Sequence, residues 1–506
     1  MNSKDYLAEA RGDAARQAAK AKAAPTKPEA PAAAPAAPDY RHIGKPTRRV
    51  DGREVVTGRA RYTQDVKLRG MLVGKILRSP HAAAEVVGID LAPALALPGV
   101  KAALKLAEGK VRYAGQQVAA VAAVDERTAE KALGLVKVEY RTLPFVVDPE
   151  RARDAAAPQV RDGRPNVERI NEYARGDAEK GFAEADVVVE GTYRTGIEIH
   201  HPTEPHGSVV AWEGDRVLAY DSTQNVHGVR DGLARALKVP AAQVTVVKDY
   251  MGGGFGSKLS LNEQTVVAAN LARASGRPVK VMNSRRDNAV CVGYRPSSRQ
   301  TYKVGAKKDG TLVAIALTNL ACGGLGPGDD VAEPTVDIYA CPNVKVFEET
   351  VFINTGASRA MRAPGHTQGA FGLEGVMDEL AAALDLDPLE VRRKNYTTKN
   401  QGGTGVPYSS KGLDKCYEAG AKAIGWERRN RRPGEGPADG PRRRGLGVAT
   451  SIWFGAGVPG TLADVVLYPD GSVEVVCGTQ DIGCGTRTHM AVVAAETLGL
   501  EPKEIT

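Results

Sequence analysis

No Cys-x-x-Cys pair occurs in this sequence of 506 residues. The six cysteines, Cys291, Cys322, Cys341, Cys416, Cys477 and Cys484, are scattered, which argues against a local iron–sulfur or structural zinc motif and leaves reduced thiols as the plain reading. No apolar run reaches the ~18 residues that a membrane-spanning helix needs, and the amino terminus lacks the hydrophobic core of a signal peptide. A cytoplasmic chain is the expectation; a periplasmic one would need a partner to carry the export signal.

A basic face is missing too. The 68 Lys and Arg against 60 Asp and Glu give +8, yet residues 1–50 (10 basic, 5 acidic) and 428–444 (7 Arg, 2 acidic) together hold +10. Everything else carries about −2, which excludes a nucleic-acid stripe on a folded face and makes the two basic segments a solvated tail and a solvated loop.

What is present falls into blocks, and the usual ~100–200 residues per domain predicts about three domains. Residues 1–40 are rich in Ala, Pro and Lys and cannot bury enough side chain to offset ordering entropy, so they read as a disordered tail. Over 41–150, strands are predicted at 71–77, 86–89, 117–123 and 136–140, with a short helix near 93–97 and a longer one over 125–135 capped by Asp125. The result is a compact α+β unit. A loose, charged connection over 151–180 follows.

The second domain, 181–427, opens with a strand at 187–193 and a hairpin about Glu213-Gly214-Asp215. A strand at 244–247, a helix over 263–274 ended by Gly276, a hairpin turn at Lys308-Asp309-Gly310 and a helix over 374–384 complete it. The Arg/Gly/Pro loop 428–444 leads into a third domain, 445–506, which has a hairpin turn at Tyr468-Pro469-Asp470-Gly471, a strand at 473–477 and a helix over 489–498.

The chemistry concentrates at Met251-Gly252-Gly253-Gly254-Phe255-Gly256-Ser257-Lys258, a strand-to-helix connection whose bare backbone lets a large ligand approach amide donors. It is not a P-loop, because Ser257 separates Gly256 from Lys258, and it is not a dinucleotide fingerprint, because Ser257 stands where the last glycine belongs. A second strand, glycine turn and helix recur at Gln480-Asp481-Ile482-Gly483-Cys484-Gly485.

Several further blocks stand in order around these: the turn-rich run 44–65, Arg78-Ser79-Pro80-His81-Ala82, Gly115-Gln116, His201-Pro202-Thr203-Glu204-Pro205-His206, Asp221-Ser222-Thr223-Gln224-Asn225 and Met361-Arg362-Ala363-Pro364-Gly365. From Ile43 onward the combination resembles the large molybdenum-cofactor subunit of the xanthine dehydrogenase and aldehyde oxidoreductase family. The blocks Tyr339-Ala340-Cys341-Pro342-Asn343 and 361–365 look most like its bacterial aldehyde oxidoreductase branch.

The resemblance implies an α+β chain: an α/β hammerhead domain followed by two molybdopterin-binding α/β domains, the second truncated. It implies a molybdopterin dinucleotide, in bacterial members usually the cytosine form, whose pterin dithiolene rather than the protein holds the metal. By motif match, Gln224 would hydrogen-bond an oxo ligand, Gly254, Phe255 and Gly256 would pack beside the metal, and Arg362 would serve the pocket and pterin. Gly483, Cys484 and Gly485 would hold pterin or phosphate, and Arg295 and Leu259 would border the substrate channel. Taken from the residues alone, Phe255 is equally a packing ring, Gln224 a strand-end cap, Arg295 and Arg362 ion-pair partners and Cys484 a small buried residue. His200, His201, His206 and Glu204 lie in a Pro-interrupted segment and are expected to make structural hydrogen bonds rather than a metal cluster.

Two departures narrow the expectation. Purine-oxidising relatives place a glutamate after the loop lysine where this chain has Leu259, which favours a less polar substrate, and the cysteine that holds copper in carbon monoxide oxidation is missing from the arginine turn. The reaction implied is hydroxylation of an aldehyde or N-heterocycle carbon with oxygen from water, electrons leaving through iron–sulfur and FAD-carrying partner subunits. The family's glutamate base sits in a Gly-rich block that is not found in residues 1–506, so it is expected on a second molybdenum-subunit polypeptide or beyond the sequence boundary. A cofactor-holding or assembly component without catalysis is the alternative.

Overall fold

The computed structural model describes residues 39–403, 405–408, 410–431, 434–436, 440–453, 455 and 461–506. The expected tail over 1–40 lies almost wholly outside the described residues, and the 428–444 loop lies partly outside them.

The strands, in chain order, are β1 (Leu72–Arg78), β2 (Ala84–Asp90), β3 (Val100–Lys105), β4 (Gly109–Val111), β5 (Gln117–Ala123), β6 (Lys137–Thr142), β7 (Val167–Arg175), β8 (Val187–Thr195) and β9 (Gly207–Glu213). They continue with β10 (Arg216–Asp221), β11 (Val244–Val247), β12 (Val279–Met282), β13 (Ser297–Ala306), β14 (Leu312–Cys322), β15 (Val344–Val351), β16 (Ala463–Leu467) and β17 (Val473–Cys477).

A seven-stranded sheet of order β11-β10-β9-β12-β1-β5-β3 crosses from the first block of the chain into the second. The join is a parallel pairing of β1 with β12, Leu72 opposite Val279. β5 explains why a continuous apolar run predicts a strand so well. Its Ala120 and Ala122 pack with Leu271 of the helix Glu263–Ser275, while Val121 and Ala123 pack with Ala129 and Ala132 of the helix Glu126–Leu133. With both faces covered, no position after Gln117 is left for a polar side chain. Asp125 caps that second helix through a hydrogen bond from the Thr128 amide at 2.8 Å.

The second layer is a five-stranded sheet of order β7-β15-β14-β13-β8 under the helix His366–Ala383, with Tyr302, Leu317, Val346, Leu373 and Met377 in its core. The α+β unit expected over 41–150 has its own small sheet, β4-β2-β6. The last part of the chain pairs β16 with β17 and lays the helix Thr486–Leu498 on Val473 and Ile505.

Two elements differ from the sequence reading. The stretch 151–180, read as a loose connection, contains β7, which pairs antiparallel with β15 at the sheet edge. Its Glu168, Arg169, Glu172 and Arg175 reflect an edge strand, which tolerates charge along its length. The helix expected at 374–384 begins at His366. Gly369, Gly372 and Gly375 lower helix propensity over its first turns and hide the start.

Candidate cofactor site

β10 and β11 are parallel neighbours, so the turns that follow them leave the same end of the sheet. After β10, Asn225 rather than Gln224 caps the helix Val226–Leu237, accepting from the Gly228 amide at 2.9 Å. Instead the Gln224 amide donates to the Lys258 carbonyl at 2.8 Å, and its side-chain Oε1 accepts from the Gly256 amide at 2.7 Å and, at longer range, from the Lys258 amide at 3.4 Å. With its oxygen engaged by the loop, the side chain of Gln224 has its Nε2 donor left for another partner.

The loop tolerates no side chain where it touches Gln224 and the arginine turn. A Cβ on Gly254 would lie 2.5 Å from Gln224 Oε1, and one on Gly256, at φ +112, would lie 2.1 Å from the carbonyl oxygen of Ala360. Between them Phe255 holds φ at 53°, a strained value for an aromatic residue, and its side chain is 44% exposed. Phe255 is therefore not core packing. Leu259, equally exposed, follows on the same loop and receives a hydrogen bond on its carbonyl from Asn225 Nδ2 at 3.3 Å.

The turn Met361-Arg362-Ala363-Pro364-Gly365 is bound to this loop by the Arg362 amide, which donates to the Phe255 carbonyl at 2.8 Å. Arg362 turns its side chain to solvent. Arg295 is 4% exposed and donates to the carbonyls of Arg362 at 2.8 Å and Ala363 at 3.3 Å and to Gln368 Oε1 at 3.1 Å. Its two terminal nitrogens are engaged by the turn and Gln368, and its Nε lies 3.6 Å from Glu198 Oε2, so its effect on any channel passes through the turn's position. His200 Nε2 donates to the Ala360 carbonyl at 2.8 Å, and burial depresses its imidazole below the ordinary range.

The second glycine turn meets the first where β11 ends. Lys248 Nζ donates to the Asp481 carbonyl at 2.6 Å, Arg487 Nη2 donates to the Asp249 carbonyl at 2.8 Å, and the Arg487 guanidinium lies 5.2 Å from the centre of the Tyr250 ring. The amide of Val226, two residues past Gln224, donates to Gln480 Oε1 at 3.1 Å. Within the turn Asp481 accepts from the amides of Gly483, Gly485 and Arg487 at 2.8, 3.3 and 3.4 Å. Burial pushes its carboxyl up, but these bonds outweigh it and hold the group below its usual range. A Cβ at Gly483 or Gly485 would meet nothing within 4 Å, which leaves open space over the turn. Cys484 is exposed, and a contact of its sulfur with Thr486 Oγ1 at 3.1 Å lowers its thiol, so it is not a small buried residue.

Three contributors escape a reading of the sequence by motif. Arg49, from the turn-rich segment before the first strand, reaches the Gly483 carbonyl at 3.1 Å. Lys258 and Glu204 are both buried behind the loop, the Lys258 side chain with no exposure at all. The only signal for the first was its place in a block carrying the family resemblance; for the pair it was a charged residue in each of two such blocks.

Residues 160–396 and 419–506 match the molybdopterin cofactor-binding domain, and residues 57–106 and 101–144 match the aldehyde oxidase and xanthine dehydrogenase a/b hammerhead domain. The chain is 32% identical to the xanthine dehydrogenase molybdenum-binding subunit of Escherichia coli O157:H7 over 90% of its own length and 66% of that protein. It thus spans just under two thirds of that relative. It is 31% identical to the nicotinate dehydrogenase large molybdopterin subunit of Eubacterium barkeri, using 77% of this chain and 99% of that one. Quinoline 2-oxidoreductase from Pseudomonas putida 86 superposes with a TM-score of 0.80 at 25% identity, covering 92% of this chain and 66% of that one. Among the described residues, no helix is long and apolar enough to cross a membrane. With hammerhead and cofactor-binding domains in sequence and one such subunit spanned almost end to end, the chain belongs to the molybdenum-cofactor subunits of the xanthine dehydrogenase and aldehyde oxidoreductase family, the molybdenum hydroxylases.

Proposed function

We propose that this chain is the molybdopterin-binding subunit of an oxidoreductase that hydroxylates an aldehyde or N-heterocycle carbon with oxygen from water and passes the electrons to iron–sulfur and flavin subunits. The observation that carries the reading is Gln224: its Oε1 is held by the Gly256 amide at 2.7 Å, which leaves Nε2 as a donor beside an exposed, strained Phe255.

The residues fit a large, polar, partly anionic cofactor. Added side chains at Gly254 or Gly256 would collide with Gln224 or the Ala360 carbonyl, while the space over Gly483 and Gly485 is open, with Arg49 and Lys248 bonded to the second turn and Arg487 at its end. When bound, the molybdenum cofactor supplies the two-electron redox chemistry. The chain's own part is placement. Gln224 would offer its amide to the metal end of the cofactor, Arg362 would offer its exposed guanidinium to pterin or substrate, and Gly483, Cys484 and Gly485 would hold the pterin or phosphate of a cytosine dinucleotide.

Arg295 fixes the turn that presents Arg362, and Leu259 adds an apolar edge suited to an uncharged substrate. We read residues 41–150 as the hammerhead domain, 181–427 with β7 as the first cofactor domain, and 445–506 as part of the second. The general base is assigned to the third of the relatives' length that this chain does not span. That a relative named a large molybdopterin subunit is matched over 99% of its length supports the reading of this chain as a cofactor-binding subunit.

The test is turnover by the assembly purified with its co-encoded partners, using aldehydes and N-heterocycles in heavy-oxygen water. Label in the hydroxylated product, with reduction of an artificial acceptor, is expected. Substrate oxidation without label overturns the reaction, and no oxidation by an assembly that contains molybdenum overturns the catalytic reading in favour of a cofactor-holding component.

A further inference from the structure

Behind the loop, the side chains of Glu204, Ser222 and Lys258 are closed away from water. Lys258 Nζ donates to the Glu204 carbonyl at 2.9 Å and to Ser222 Oγ at 2.7 Å, and it lies 3.8 Å from Glu204 Oε2. Ser222 in turn donates to Glu204 Oε2 at 2.7 Å, and the same oxygen accepts from the Gly252 amide at 2.9 Å. Glu204 and Gly252 are also paired through their backbones, the Glu204 amide donating to the Gly252 carbonyl at 2.9 Å.

Lys258 acts at both ends. Its side chain holds Glu204 and Ser222, while its carbonyl accepts from the Gln224 amide at 2.8 Å and from Thr223 Oγ1 at 3.1 Å. The two sites that present the donor, Gln224 and the loop that grips its oxygen, are therefore fastened to one buried ion. A buried pair of this kind is a poor source of net stability, since desolvation offsets most of its attraction, but it resists displacement because moving either charge strands the other. That makes it suited to fixing a register. The segment 202–204 is pinned from outside as well, Arg285 donating to the carbonyls of Pro202 and Thr203.

We propose that Glu204 and Lys258 are positioning residues that set where the amide of Gln224 points, by locking the segments 202–206, 221–224 and 252–258 into one rigid body. The pair is buried, Lys258 with no exposure and Glu204 at 3%, and acts only through Gln224 and the loop. The role assigned to Gln224 rests on the proposed function; the clasp itself does not, and it is tested without cofactor.

The experiment is hydrogen–deuterium exchange on the full chain purified without cofactor, comparing wild type with Lys258→Met, Glu204→Gln and the double variant Glu204→Leu/Lys258→Met. Peptides covering 251–259 are expected to exchange on the order of tenfold faster in Lys258→Met, with peptides from β13 and β14 unchanged. The double variant recovers part of that protection, because it removes the carboxylate that the single change leaves unpaired. Glu204→Gln retains acceptors for Ser222 and Gly252 and gives a smaller rise, which keeps the test valid if Lys258→Met fails to fold. Unchanged exchange over 251–259, or equal acceleration throughout the chain, overturns the clasp. In the molybdenum-loaded assembly, the electron paramagnetic resonance spectrum of the partly reduced metal shifts in Glu204→Gln in the same sense as in Gln224→Ala; a spectrum identical to wild type overturns the link to Gln224. Failure to load molybdenum at all contradicts the pocket, not the clasp.

Discussion

Arg295 Nη2 donates to the carbonyl oxygen of Arg362 at 2.8 Å, so one arginine is consumed in holding the backbone of another. The two side chains have opposite fates, Arg295 buried and Arg362 exposed, and they make opposite predictions. Arg295→Ala leaves the carbonyls of Arg362 and Ala363 without their donor and is expected to cost about 1–3 kcal/mol for each that stays unpaired. Arg295→Lys recovers little, since a point charge cannot replace a planar fork. Arg362→Ala stays within about 0.5 kcal/mol of wild type in a urea titration yet retains less cofactor. Equal midpoints for the Arg295 and Arg362 variants would contradict this division.

The glycines of the two turns differ in what forbids a side chain. At Gly256 an added methyl would sit 2.1 Å from the Ala360 carbonyl at φ +112, so Gly256→Ala is expected to lose more than about 4 kcal/mol or to accumulate unfolded chain. At Gly485 there is room and only φ +85 resists, so Gly485→Ala costs about 1–3 kcal/mol. Denaturant midpoints of the two variants check the order.

His206 makes the fold sensitive to acid. Burial, with repulsion from Lys258 second, pulls its imidazole from 6.5 to about 3. The unfolded chain takes up this proton below pH ~6.5 and the folded chain does not until about 3, so the contribution is complete above 6.5 and is lost as pH falls through that window. A loss on the order of a few kcal/mol is expected across it. Asp221 works the other way, since burial pushes its carboxyl from 3.8 up to about 6 and favours the protonated fold between those values. His206→Leu should therefore flatten, or invert, the fall in melting temperature from pH 6.5 to 4. An unchanged slope in that variant would refute the assignment.

Much of this arrangement was legible in the sequence for physical reasons. The strand at 117–123 appeared at its observed bounds, because a strand covered on both faces leaves an unbroken apolar run. The glycine loop, Gln224 and the arginine turn stood out because close backbone approach demands residue types that chance rarely places in order. β7 stayed hidden because its charged side chains mask an edge strand, and the first turns of the helix His366–Ala383 because glycines that pack closely are poor helix formers. The clasp could not be seen: Lys258 and Glu204 are 54 residues apart, and a charged residue in a sequence looks like surface until its partner is known. The bond from Arg49 to Gly483 spans 434 residues and is hidden for the same reason.

The most direct test of the central claim is the molybdenum content of the purified assembly, measured by mass spectrometry against chain concentration after expression in a host that makes the cofactor. About one molybdenum per chain is predicted, falling several-fold in Gly485→Ala and Arg362→Ala. Less than about a tenth of an equivalent in the wild-type assembly, with the chain folded and its partners present, would contradict the account.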